Sequence, residues 1–213
     1  MKFSFATLIF LASVICQAQD RYSFVFLHKK PDAESIPKEE LDKIMQGHMA
    51  NIERLASENK LKVAGPFEGG GGIFILNTTS VDEATQWLST DPGIQAKRWN
   101  IEILPYTPQL GSVCSAKEPY EMVMYHFIRF QVIPKAEIKN AGALLQEHAR
   151  YIKKLQSGDN VITSGAFEPN GDVLILKGDL HEELTDSDPG VRAGMLSVDV
   201  KKLWIAKGSF CEK

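Results

Sequence analysis

Two histidines stand one hundred residues apart in similar settings, His48 in "MQGHMANIERL" and His148 in "LQEHARYIKKL". An imidazole titrates near neutral pH, so it can act as a general acid or base. The plainer reading of each is a core-edge histidine satisfied by a backbone carbonyl. Two aspartates also recur, each before a proline: Asp91 in "STDPGI" and Asp188 in "DSDPGV". Asp before Pro commonly opens a helical turn, the carboxylate capping it and the proline taking its first position. Other chemistries find little support. The five histidines show no metal-ligand spacing, and no G-x-S-x-G nucleophile motif occurs. The glycines Gly69 to Gly72 lack the lysine and the strand-loop-helix context of a phosphate loop and read as a hairpin turn. His126 and Arg129 fall on opposite faces of one expected strand. One of them could line a pocket, and a surface position is the plainer reading.

The elements that hold these residues are written twice. "LKVAGPFEGGGGIFILN" (61–77) answers "NVITSGAFEPNGDVLILK" (160–177), with Gly65, Phe67 and Glu68 matching Gly165, Phe167 and Glu168. The offset is 100 there and 97 at the two Asp-Pro pairs, so the second copy has lost three residues. An internal duplication follows. Each copy opens with a β-rich run, "RYSFVFLH" or "EMVMYHFIRFQV". A helix follows Pro37 or Pro134. In copy one, Leu41, Ile44, Met45, His48, Ile52 and Leu55 share a helical face; in copy two, Leu144, Leu145, His148, Ile152 and Leu155 do. Two short strands, a second helix (81–89, or a shorter one near "DLHEEL") and a last strand ("WNIEILPY" or "SVDVKKLWIA") complete each copy.

The order β-α-β-β-α-β is the ferredoxin-like split βαβ. Strands such as "FVFL" and "IFIL" are apolar on both faces, so helices cover one face and the other must be buried as well. Two tandem ferredoxin-like repeats packed sheet to sheet meet that demand within one α+β chain. The expected divisions are a signal peptide at 1–18, repeat 1 at 20–106, a linker at 107–119 and repeat 2 at 120–210.

The signal peptide rests on Lys2, the apolar run from Phe3 to Ile15 and Ala18. Cys16 raises a lipoprotein site as an alternative, against which Ile15 stands where a small residue is expected. Cleavage after Ala18 leaves 195 residues, with 23 basic against 27 acidic side chains. That balance argues against nucleic acid or an anionic membrane as the main partner. No later run is long and apolar enough to cross a membrane, and an exported protein, periplasmic or secreted, is expected. Two cysteines then remain, Cys114 and Cys211, before the first and after the last strand of repeat 2. Those strands are antiparallel neighbours in this fold, so a disulfide is expected. Two free thiols are the alternative.

The pattern H-x-x-[YN]-I-x-x-L on a helix, then [AS]-G-x-F, a hairpin, and Asp-Pro before the last strand resembles the YCII-related (YciI-like) family. The resemblance covers both copies and implies a dimeric α+β barrel, here closed within one chain. It implies an active-site dyad of helix histidine and Asp-Pro aspartate, which carries over to His48 with Asp91 and His148 with Asp188. The capping and dyad roles are compatible if one carboxylate oxygen caps and the other meets the histidine. Relatives include a dehydrochlorinase acting on a hydroxylated aromatic ring, and others are related by fold to muconolactone isomerases. The implied reaction is therefore cofactor-free proton abstraction, with elimination or isomerisation of a small polar or aromatic ligand. This chain departs from the family pattern in two ways. Gln46-Gly47 and Gln146-Glu147 replace the usual basic residue and proline before the histidine, and family members are usually single-copy and intracellular. A ligand-binding module without turnover and a structural protein with core histidines are the competing readings. Further homo-oligomerisation stays open.

Overall fold

The computed structural model describes residues 20–134, 138–181 and 183–211; the expected signal peptide, 1–18, lies outside them. Repeat 1 contributes β1 (Tyr22–Lys29), α1 (Lys38–Ser57), β2 (Leu61–Pro66), β3 (Gly72–Leu76), α2 (Val81–Leu88), α3 (Pro92–Gln95) and β4 (Trp99–Leu110). Strand β5 (Ser112–Val113) follows. Repeat 2 contributes β6 (Met122–Val132), α4 (Ala141–Leu155), β7 (Val161–Ala166), β8 (Gly171–Leu176), α5 (Glu183–Asp186), α6 (Pro189–Arg192) and β9 (Leu196–Ala206), and β10 (Phe210–Cys211) ends the described chain.

Alternation along the strands sorts side chains between a shared interior and a core under the helices of each repeat. Phe24 and Phe26 of β1 and Phe127 of β6 point into a shared interior with Phe67, Tyr106, Phe167 and Leu203. Val25 and Leu27 point the other way and pack under α1 with Leu55. Ile128 and Phe130 do the same with Ile152 of α4. The two-sided apolar strands thus have helices on the outer face and the opposing repeat on the inner one.

The sheet is continuous, in the order β2-β3-β1-β4-β7-β8-β6-β9. Strand β4 runs past Tyr106 to Leu110, and its last residues pair with β7 (Thr107 with Ala166, Pro108 with Gly165). The opposite edges also meet: Phe67 bridges to Leu203, and the Glu68 N–H donates to the Lys202 carbonyl at 2.9 Å. Both joints close the strands into a barrel, which leaves fewer open sheet edges. The repeated glycine of the G-x-F pattern makes these joints possible. A Cβ on Gly165 would lie 2.2 Å from Tyr106 Cε2, and one on Gly65 would lie 2.9 Å from Leu203 Cδ1.

Two helix expectations are corrected. Helix α1 begins just after Pro37, but α4 begins at Ala141, well beyond Pro134. Its N-cap is Asn140 in the left-handed region (φ 64°), a conformation that asparagine tolerates. The buried stripe of α4 passes through Leu144, His148, Ile152 and Leu155, and Leu145 lies beside it, 44% exposed. Cys114 and Cys211 form a disulfide with Cα atoms 5.5 Å apart, where β5 and β10 pair.

Candidate functional site

Asp91 lies between α2 and α3 with extended backbone, and Pro92 takes the first helical position. Its Oδ1 accepts from the Gly93 and Ile94 N–H groups at 2.8 and 3.1 Å. Its Oδ2 is paired with His48 Nδ1 at 2.8 Å and accepts from Asn51 Nδ2 at 3.2 Å. One oxygen caps and the other meets the histidine, so both roles coexist on one carboxylate. The side chain is fully buried, so its charge must be met by hydrogen-bond partners, and it has four. Asn51 is held in turn by Arg54 Nη2 (2.8 Å) and Thr90 Oγ1 (3.0 Å), both donating to its Oδ1. Helix α1 can come this close to α3 because residue 47 is glycine: a Cβ there would lie 2.9 Å from Pro92 Cγ.

The His48 ring is 4.9 Å from the Trp99 ring and 5.9 Å from that of Phe74, centroid to centroid. Since Nδ1 faces a carboxylate, the neutral imidazole carries its proton there and its lone pair on Nε2. Among the described residues Nε2 has no hydrogen-bond partner. Arg129 Nε is the only fully buried side-chain nitrogen or oxygen among them without one. Nε2 of His48 therefore reaches solvent at the edge of an otherwise buried ring.

Repeat 2 builds the same frame. Asp188 Oδ1 accepts from Gly190 N–H (2.8 Å) and Val191 N–H (3.0 Å), and Oδ2 meets His148 Nδ1 at 2.6 Å. The surroundings differ. Tyr151 replaces Asn51 and donates to the Leu184 carbonyl at 2.8 Å. Leu196 replaces Trp99, and Phe130 lies 5.2 Å from the His148 ring. A second carboxylate, Asp172 Oδ2, meets His148 Nε2 at 3.1 Å. Burial opposes charge on this ring, but Asp172 and Asp188 outweigh it and push His148 up to about 9. A cavity of about 260 Å³ opens beside Asp172, lined also by Gln109, Ile152, Lys153 and Gln156.

The four expected site residues thus come together as two His–Asp pairs, neither histidine being satisfied by a backbone carbonyl. Sequence reasoning missed Asn51, Trp99 and Asp172. Asn51 carries a usable signal, lying three residues from His48 on the same helical face.

The surface reading of Arg129 is corrected. It is 3% exposed, points into the barrel and forms a two-pronged pair with Glu102, both bonds 2.8 Å. Its guanidinium lies 4.0 Å over the Phe26 ring, and His28 Nε2 meets Glu102 at 2.8 Å. Arg129 holds the Glu102 carboxyl below the usual carboxylate range. Apolar neighbours on a strand inside a closed barrel, together with an acid from the other repeat, account for the burial. His126 sits half-buried on the opposite face of β6.

The architecture is that of a ferredoxin-like α+β barrel closed within one chain. Residues 23–107 match the sequence model of the YCII-related domain. No curated protein matches the sequence. Among solved structures, a mutant chlorite dismutase from Candidatus Nitrospira defluvii is similar at a TM-score of 0.52, with 10% identity, over 88% of this chain and 92% of that one. A heme-binding protein from Thermus thermophilus is similar at a TM-score of 0.48, with 11% identity, over 90% and 93%. At these identities the likeness concerns fold alone. Among the described residues no helix is long and apolar enough to cross a membrane.

Proposed function

We propose that this is an exported, cofactor-free enzyme for a small polar or aromatic compound, a lyase or isomerase with His48 as general base. The observation that carries the reading is the buried Nδ1–Asp91 hydrogen bond combined with a solvent-reached, unpartnered Nε2. Nε2 takes a proton from an acidic carbon. The electron pair left behind forms a double bond, either expelling a leaving group or shifting an existing one. The resulting imidazolium is stabilised by Asp91, which Asn51 and the α3 N–H groups hold in place. Trp99 and Phe74 offer aromatic surface next to the ring. Export is supported by the apolar run from Phe3 to Ile15 and by the Cys114–Cys211 disulfide.

Binding without turnover is the second reading. The cavity beside Asp172 favours it, since it is roomy for a small ligand and faces no free imidazole nitrogen. A heme group does not fit the donor set of repeat 2: both ring nitrogens of His148 are taken by carboxylates, and the adjoining cavity is about 260 Å³. Sites for drug-sized ligands run to roughly 300–1,000 Å³.

The test is hydrogen exchange in D₂O. The protein is incubated with a panel of hydroxylated aromatics, unsaturated lactones and hydroxy acids, and deuterium incorporation at carbon is read by mass spectrometry. We expect incorporation into at least one compound class, falling about 100-fold or more in His48→Gln while binding survives. Binding without exchange in the unmodified protein would favour the second reading. Unchanged exchange in His48→Gln would overturn the first.

A further inference from the structure

We propose that one side chain, Asp172, divides the two repeats by function: it occupies the second ring nitrogen of His148 and leaves His48 as the chain's working base. The inference rests on the reading of His48 as a base and deepens it.

The two frames are otherwise closely matched. In each, a helix histidine gives Nδ1 to an Asp-Pro carboxylate whose other oxygen caps a short helix. At the second ring nitrogen they part through one register position. Gly72 pairs with Leu27 at the start of β3, and Asp172 pairs with Phe130 at the equivalent place in β8. Repeat 1 has no room for a side chain there, because a Cβ on Gly72 would lie 2.5 Å from the Gly65 carbonyl oxygen. Repeat 2 admits one, and its carboxylate reaches His148 Nε2 at 3.1 Å.

A base needs a lone pair aimed at the substrate. His148 has carboxylates at both nitrogens, Asp188 from the start of α6 and Asp172 from β8. Both favour the doubly protonated ring, which has no lone pair to offer. The cavity beside Asp172 is lined also by Lys153 of α4, so a ligand there meets a carboxylate and an ammonium group and no free imidazole nitrogen. His48 has one carboxylate and an open Nε2.

The experiment has two independent readouts. The first is NMR titration of both histidine rings in the unmodified protein, in Asp172→Ala and in the more conservative Asp172→Asn. We expect the His148 ring to stay doubly protonated at pH 8, and its midpoint to fall by about one pH unit or more in Asp172→Ala. The second is the D₂O exchange rate. We expect His148→Gln to leave it within about twofold, and Asp172→Ala in the His48→Gln background to recover at least tenfold. A His148 midpoint below pH 7 in the unmodified protein would overturn the proposal. So would equal losses in His48→Gln and His148→Gln, or a lowered His148 midpoint with no recovery of exchange. If no compound exchanges, the function reading fails alone and the titration still decides whether Asp172 locks His148. If Asp172→Ala does not fold, Asp172→Asn supplies the titration comparison and the exchange readout in its place.

Discussion

At the scale of single residues, the site depends on how Asp91 divides its two oxygens. A fully buried carboxylate costs several kcal/mol unless its lone pairs are met. Gly93, Ile94, His48 and Asn51 meet them, two on each oxygen. The same contacts hold the acceptor still, so the imidazole has one favoured orientation and one favoured tautomer. Fixing a base in this way removes reorganisation from the proton-transfer step. His148 shows how little must change to alter the chemistry. With the same capped aspartate on Nδ1, one added carboxylate takes up Nε2 and favours the protonated ring.

At the scale of elements, the barrel depends on two glycines that let strands from different repeats touch. Gly165 faces the Tyr106 ring, which is rigid and itself buried, and an added Cβ would lie 2.2 Å from Cε2. Gly165→Ala should therefore destabilise the protein by about 1–3 kcal/mol, read as a lower midpoint in urea. An unchanged midpoint would mean that the β4–β7 joint adjusts freely. The helix–strand order was legible because each repeat carries it independently, with hydrophobic spacing of 3.6 on α1 and β-rich runs between turn signals. The overrun of β4 to Leu110 was not, since Pro108 in "YTPQL" argues against a strand. Pro108 is accommodated where the β4–β7 register shifts, a place in which sheets admit proline. The start of α4 departs from expectation for a related reason: a proline marks a permitted helix start, and the chain uses Asn140 instead.

At the scale of the whole molecule, two-sided apolar strands made the face-to-face packing legible and the family resemblance implied a barrel within one chain, whereas the particular joints, β4 with β7 and Phe67 with Leu203, rest on main-chain pairing that the hydrophobic pattern does not announce. The duplication exposed both His–Asp pairs because it repeats them. For the same reason it hid Asn51, Trp99 and Asp172, whose counterparts are Tyr151, Leu196 and Gly72. Arg129 and Glu102 tie β6 of one repeat to β4 of the other inside the barrel. Charge also couples the site to global stability. His148 rises from an ordinary value near 6.5 to about 9 on folding, so the folded state binds the extra proton between those values. That contribution is fully present below about pH 6.5 and is lost as pH climbs through 9, on the order of 3 kcal/mol in all. Thermal midpoints measured from pH 6 to 9.5 should fall across this window, and Asp172→Ala should flatten the slope. A midpoint that rises from pH 7 to 9 would contradict the sign.

The central claim is that His48 presents a lone pair on Nε2. Long-range ¹H–¹⁵N correlation NMR of the histidine rings reads this directly. The account predicts that the neutral His48 ring carries its proton on Nδ1, with Nε2 giving the shift of an unprotonated nitrogen. A neutral His48 protonated on Nε2 would mean that Asp91 does not orient it, and the general-base reading would fall.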